Sequence, residues 1–253
     1  MVKIAVFDSG LGSLSIIRAI QKICKSEIIY FADQKNFPYG KKAKKQLEKI
    51  IKQTIRVLEI NFTPDLIVLA SNTPSLMVKI TNKKVIKVKP PIKEAFSISK
   101  TKKIAILGTE SAIQSKSLTN YIKNFNFSKN NKIYKINSSE LVELVESNKF
   151  ITDKIYCKKI IQKNLNNVFK NKIDVAILSS THLPFLKSAL SLEFPQIKFI
   201  DPADIVAEEV TAKIKKNKSK KNTIKIFTSG NVKIYEKKLK KIGVKNKVNF
   251  LSI

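Results

Sequence analysis

The sequence predicts an α/β protein made of two similar three-layer αβα domains with mainly parallel sheets, and three observations predict it. Short β-branched runs alternate with helical patterns along the chain, the order that parallel sheets covered by helices require. DLIVLASNTPSL, Asp65 to Leu76, is echoed by DVAILSSTHLPFL, Asp174 to Leu186. IAVFDSG from Ile4 is echoed by IAILGTE from Ile104. A chain that makes the same strand and the same turn twice is expected to hold two related halves.

Taken in order, strands are expected at KIAVFD, EIIYFAD, DLIVLAS, KIAILGT, DVAILSS, IKFID and TIKIFT. Each is a short run rich in Ile, Val and aromatic side chains, the types that fit a pleated and buried surface. After the first strand, Ile16, Ile20 and Ile23 recur at helical spacing, and after the second Leu47, Ile50, Ile51, Ile55 and Leu58 do the same. Each strand thus feeds a covering helix with one apolar stripe. KKNKSKKNTIK, ending at Lys225, reads as a solvated loop.

The chain has 253 residues, 43% of them hydrophobic, which suits one large domain or two small ones with real cores. No apolar run reaches the roughly 18 residues of a membrane span. The amino terminus runs straight into VKIAVFD without a signal-peptide pattern, so a cytoplasmic location is expected. Cys24 and Cys157 lack the paired spacing of a metal or redox motif and read as structural.

The net charge of +30 raises a nucleic-acid reading, because clustered basic residues neutralise phosphates. Only Arg18 and Arg56 are arginine, however, and the lysines are spread over nearly every amphipathic segment. Arginine is the side chain suited to bidentate phosphate and base contacts, and no aromatic-interleaved basic motif is present. The charge therefore reads as compositional drift, with no nucleic-acid partner expected.

In open α/β sheets a ligand sits beyond the carboxyl ends of the strands. Asp8 and Ser9 end the first strand, Ser71, Asn72 and Thr73 end another, and Ser180, Thr181 and His182 end its counterpart. The Ser, Thr, Asn and Asp residues among these are also favoured helix N-caps, so taken singly the cap competes with the site; the matched pair of turns favours the site. His182 is the only histidine, and its place at a strand end points to proton handling. Asp8 is left between capping the following GLGSLS turn and serving as a base. Glu146, in SSELVELVES, is left between a solvated helical charge and a second carboxylate at the site.

FDSGLGSLSI, FADQKNFPYG, SNTPSL, LGTES, ELVELVES, SSTHLPFL and FTSGN occur in the order found in glutamate racemases, and the sequence resembles that family over nearly its whole length. The resemblance implies an active-site cleft between the halves, here residues 1–97 with 208–253, to which FTSGN returns, and residues 98–207. It also implies that Asp8 and Ser9, the loop Pro38, Tyr39 and Gly40, and Asn72, Thr73 and Thr181 surround a small acidic amino acid or dicarboxylate. His182 and Glu146 match further family positions. No cofactor and no metal are implied, and a homodimer is left open.

The departure lies at the chemistry, because the family has cysteine where this chain has Ser71 and Ser180. In the family one thiol removes the α-proton and the opposite one returns a proton to the other face. A thiol has an unperturbed pKa of roughly 8.5, so its thiolate is accessible near neutrality. A serine hydroxyl is far weaker as an acid and needs a neighbouring base. His182 beside Ser180 and Asp8 beside Ser71 could serve so, or could act directly, and slow or altered turnover is expected. The alternative is a protein that keeps the pocket for binding or regulation without turnover. Neighbouring differences at Pro74, Ser179 and Leu183 mark natural divergence.

Overall fold

The computed structural model describes residues 1–125, 127–214 and 220–253. Ten strands form among them: β1 (Lys3–Asp8), β2 (Glu27–Ala32), β3 (Leu66–Leu69), β4 (Val85–Lys87), β5 (Lys103–Gly108), β6 (Lys132–Asn137), β7 (Val175–Leu178), β8 (Lys198–Ile200), β9 (Thr223–Thr228) and β10 (Val248–Phe250). All pairings are parallel. The chain divides into two compact units, Met1–Val88 with Ala203–Ile253, and Lys89–Pro202.

The first unit carries a six-stranded sheet in the order β10, β9, β2, β1, β3, β4. Ile4, Ala5, Val6 and Phe7 of β1 are all fully buried, as the centre of a parallel sheet covered on both faces requires. Alternate side chains define the two faces. Ala5, Phe7, Ile29, Phe31, Ile67 and Leu69 share one core with Leu47, Ile51, Ile55 and Leu58 of the helix Lys44–Phe62. Truncating a side chain as buried as Leu58 to alanine costs about 2–5 kcal/mol. Ile4, Val6, Ile28 and Tyr30 are buried on the opposite face. There the helix Ser13–Ile23 packs along the helix Ala203–Lys213.

One position of the expected helical stripe departs from it. Ile16 and Ile20 are buried, but Ile23 is 51% exposed. It is the last helical residue, and the chain turns to extended backbone at Cys24, which takes the inward place.

The second unit holds a four-stranded sheet in the order β6, β5, β7, β8. Its core joins Ala105, Leu107, Ala176 and Leu178 to side chains of the helices Ser139–Glu146 and Lys154–Phe169. Cys157 lies in this core, and both cysteines are free and buried. Burial pushes the Cys157 thiol up, away from a reactive thiolate.

The internal echo is a repeat of register as well as of letters. Ile4 pairs with Leu66 and Phe7 with Leu69; Ile104 pairs with Val175 and Leu107 with Leu178. Strands β2, β1, β3 and β4 of the first sheet thus correspond to β6, β5, β7 and β8 of the second. Of the segment expected as a solvated loop, residues 215–219 lie outside the described residues, and Thr223–Lys225 belong to β9. Among the described residues no helix is long and apolar enough to cross a membrane.

Candidate functional site

In each sheet the chain leaves its first strand toward one neighbour and returns on the other side. The strand order therefore switches between β1 and β3 in one unit and between β5 and β7 in the other. A crevice opens at such a switch beyond the carboxyl ends, where no connection covers the sheet. Asp8 ends β1 and Ser9 follows it there, and Ser71, Asn72 and Thr73 follow β3. Ser180, Thr181 and His182 follow β7.

At the β1 end, Asp8 is 1% exposed, and the Ser9 N–H donates to its Oδ1 at 2.7 Å. The following helix, Ser13–Ile23, has Gly12 at its cap position. The Ser9 carbonyl accepts from Gln34 Nε2. Its Oγ accepts from the backbone N–H of Tyr39 at 3.3 Å, which leaves the hydroxyl proton to be donated elsewhere.

Pro38, Tyr39 and Gly40 form a tight turn, entered through a cis bond between Phe37 and Pro38. Tyr39 is 1% exposed, and its hydroxyl donates to Asp33 Oδ2 at 2.9 Å. Burial first, then the nearby charges of Asp33 and Asp8, push the Tyr39 phenol well above its ordinary pKa. It therefore stays protonated and keeps that bond. Asp33 also accepts from Asn36 Nδ2 and, at 2.8 Å, from Ser229 Oγ. The Tyr39 ring thus faces Asp33, and its backbone meets Ser9.

Ser71 sits at the cap position of the short helix Asn72–Met77 with extended backbone angles, yet its side chain makes no cap bond. Its carbonyl accepts from Ser75 N at 3.2 Å. Asn72 and Thr73 are each 4% exposed. The capping geometry is present without the capping hydroxyl contact, which leaves that hydroxyl for other work.

In the second unit Ser180, Thr181 and His182 are all buried in the turn before Leu183–Leu186. Glu146 ends the helix Ser139–Glu146 and is 7% exposed, so it is not a solvated charge. Its Oε1 lies 2.6 Å from His182 Nε2. A carboxylate there fixes the ring orientation and favours the tautomer with hydrogen on Nε2. The arrangement can take up and release a proton at a defined place. Among the described residues no group of three or more His, Cys, Asp or Glu side chains is placed to hold a metal ion.

The profile of the Asp/Glu/Hydantoin racemase family matches residues 4–210. The chain belongs to that racemase family. Its glutamate racemase relative from Buchnera aphidicola subsp. Schizaphis graminum is 34% identical over 230 residues, covering 87% of this chain and 88% of the relative. In fold it is similar to glutamate racemase from Thermus thermophilus in complex with beta-chloro-D-alanine, with a TM-score of 0.84, 23% identity and coverage of 100% of this chain and 97% of that one. It is likewise similar to glutamate racemase from Francisella tularensis in complex with D-glutamate, with a TM-score of 0.79, 23% identity and coverage of 99% and 97%.

Several residues that contact the candidate site escaped the sequence reading. Asp33 ends FAD as Asp8 ends VFD, and Ala32 pairs with Asp8 in register, so the repeated strand-end aspartate was a usable signal. Gln34 and Ser229 carried no such signal, because the Gln34 bond to Ser9 arises from the pairing of β2 with β1 and the Ser229 bond to Asp33 from the pairing of β2 with β9.

Proposed function

We propose that this chain interconverts L- and D-glutamate, or a closely related acidic amino acid, without a cofactor. Ser71 and Ser180 stand in this reading where the family carries its two thiols. The observation that carries it is the matched pair of switch-point turns in a chain of this family, with Ser71 and Ser180 at equivalent places after β3 and β7. Racemisation moves the α-proton off one face and a proton onto the other, so it needs two proton-handling groups. Duplicated strand ends supply two such groups.

The chemistry of each group follows from its surroundings. Ser180 is followed two residues on by His182, whose ring is oriented by Glu146, and a histidine accepts a proton near neutrality where a serine hydroxyl does not. Asp8 at the β1 end is the carboxylate available beside β3, since β1 and β3 are neighbours. Ser9, Asn72, Thr73 and Thr181 then serve as donors to the substrate's carboxylates, Tyr39 acting through Ser9, whose Oγ it fixes. With hydroxyls in place of thiols, proton removal is slow.

The test is solvent deuterium incorporation at Cα, followed by proton NMR on purified protein with L-glutamate, D-glutamate and L-aspartate in D2O. Loss of the Cα proton signal from glutamate is expected, with slow appearance of the opposite enantiomer. Binding by calorimetry without exchange from any of these acids would overturn turnover and leave a binding protein.

A further inference from the structure

We propose that Tyr30 and Tyr235 form a buried pair that positions the Ser9–Gly10 segment for substrate, so that the carboxy-terminal helix Val232–Lys241 sets the affinity of the β1 turn. This inference rests on the reading above, in which Ser9 meets the substrate. Tyr30 comes from β2 and Tyr235 from that helix, and they are 0% and 1% exposed. Their hydroxyls are hydrogen-bonded to each other. Both also lie within hydrogen-bonding distance of one acceptor, the carbonyl of Gly10, Tyr30 at 3.0 Å and Tyr235 at 3.2 Å, and with one proton apiece the two hydroxyls make two of these three bonds at a time. The rings meet edge to face, with centroids 6.4 Å apart.

Burying a phenol hydroxyl is unfavourable unless it is bonded, and phenylalanine would fill the same space without that cost. Two hydroxyls converging on one carbonyl therefore point to what they hold. Gly10 lies between Ser9 and Leu11 in a turn with a second glycine at Gly12, and glycine backbone is otherwise free to rotate. The Gly10 carbonyl fixes the plane of the peptide after it. The Ser9 carbonyl, held by Gln34 Nε2, fixes the plane before it. With both planes set, and Ser9 Oγ accepting from Tyr39 N, the direction of the Ser9 hydroxyl is defined. Without the pair, the turn samples other orientations, and part of the binding free energy goes into ordering it.

The geometry makes a specific claim about redundancy. Each phenol reaches Gly10 by itself, so Tyr30→Phe and Tyr235→Phe each leave one donor on the carbonyl, and the double variant leaves none. A thermodynamic cycle on glutamate affinity, measured by calorimetry, is expected to show less than about 1.5-fold weakening for each single change and about tenfold or more for both, well beyond the roughly twofold that independent changes would multiply to. Hydrogen exchange of segment 9–13 is expected to quicken in the double variant while β1 itself stays protected. A folded double variant whose affinity stays within about twofold of the wild type overturns the proposal. Should the double variant not fold, hydrogen exchange of segment 9–13 in each single variant decides: at least one of the two must quicken there, and unchanged exchange in both overturns it. Wild-type protein that binds neither enantiomer would instead overturn the functional reading, and this inference with it.

Discussion

Glu146 Oε1 lies 2.6 Å from His182 Nε2, and both side chains are less than a tenth exposed. The pair joins the end of one helix to the turn after β7, so it aligns the histidine that lies two residues beyond Ser180. Glu146→Gln keeps the shape and a hydrogen-bonding oxygen but removes the charge. It is expected to slow Cα deuterium exchange about tenfold, and His182→Asn about a hundredfold, within the range that positioned acid–base groups contribute. Loss of thermal stability with unchanged exchange in both variants would make the pair a purely structural one.

Asp174 gives a prediction about acid stability. Burial alone would raise its carboxyl, but bonds from Ser99 Oγ at 2.6 Å, Thr101 N at 3.0 Å, Thr101 Oγ1 at 2.9 Å and Lys100 N at 2.6 Å outweigh burial and hold it below the usual carboxylate range. A carboxyl depressed on folding contributes stability above its unfolded pKa of roughly 4 and loses it as pH falls through the folded value. Asp174→Asn is therefore expected to lower stability by about 1 kcal/mol at pH 7, discounted for its partial exposure. The gap from wild type should close below about pH 4, as followed by thermal melts across pH. A gap independent of pH would contradict the assignment.

Asp65 is the counterpart of Asp174, and the two show how much of the fold was legible. The backbone N–H of Asp65 donates to Lys3 O, and that of Asp174 donates to Lys103 O. The echo of letters therefore announced equivalent places in two sheets, because register between neighbouring buried strands is set by the apolar pattern they share. All seven expected strands formed. β4 and β10 went unseen because three residues, VIK and VNF, carry no periodic signal. β6, KIYKIN, went unseen because it is an edge strand with exposed lysines and no fully buried position. For the candidate site, the strand-end positions of residues such as Ser9, Asn72 and Thr181 were legible, since turns after apolar runs show in one dimension. The Gln34, Ser229 and Tyr235 contacts were not, since each depends on how separate elements pack: β2 on β1, β9 on β2, and the helix Val232–Lys241 against β2.

Gly230 tests how closely β9 supports Ser9. A Cβ added there would meet Gln34 Cβ at 2.6 Å, too near to be relieved by turning a flexible side-chain end. Gln34 must shift, and its Nε2 holds the Ser9 carbonyl. Gly230→Ala is expected to cost about 1–3 kcal/mol of stability by overpacking. It should also weaken glutamate binding in calorimetry, whereas Gly243→Ala, with no atoms within 4 Å of the added Cβ, should leave affinity unchanged. Equal affinity for Gly230→Ala and wild type would separate Gln34 from the site.

The remaining prediction concerns the two serines. Replacing Ser71 and Ser180 together by cysteine changes one atom on each side chain and little of its shape. It moves the acidity of each group from that of a hydroxyl to a pKa of roughly 8.5, within reach of neutral pH. General acid–base catalysis is most efficient when the group's pKa lies near the working pH, and such groups contribute about 10²–10⁴-fold. The double variant is therefore expected to racemise glutamate at least about a hundredfold faster than the wild type, measured by circular dichroism with each enantiomer. Ser71→Cys or Ser180→Cys alone should gain less, because one efficient group can wash deuterium into one enantiomer without delivering a proton to the other face. The two single variants should differ in which enantiomer exchanges faster. A folded, glutamate-binding double variant with no gain in exchange or racemisation would show that the surrounding groups no longer align the α-proton with either position, and turnover would have to be assigned to His182 and Asp8 directly or abandoned.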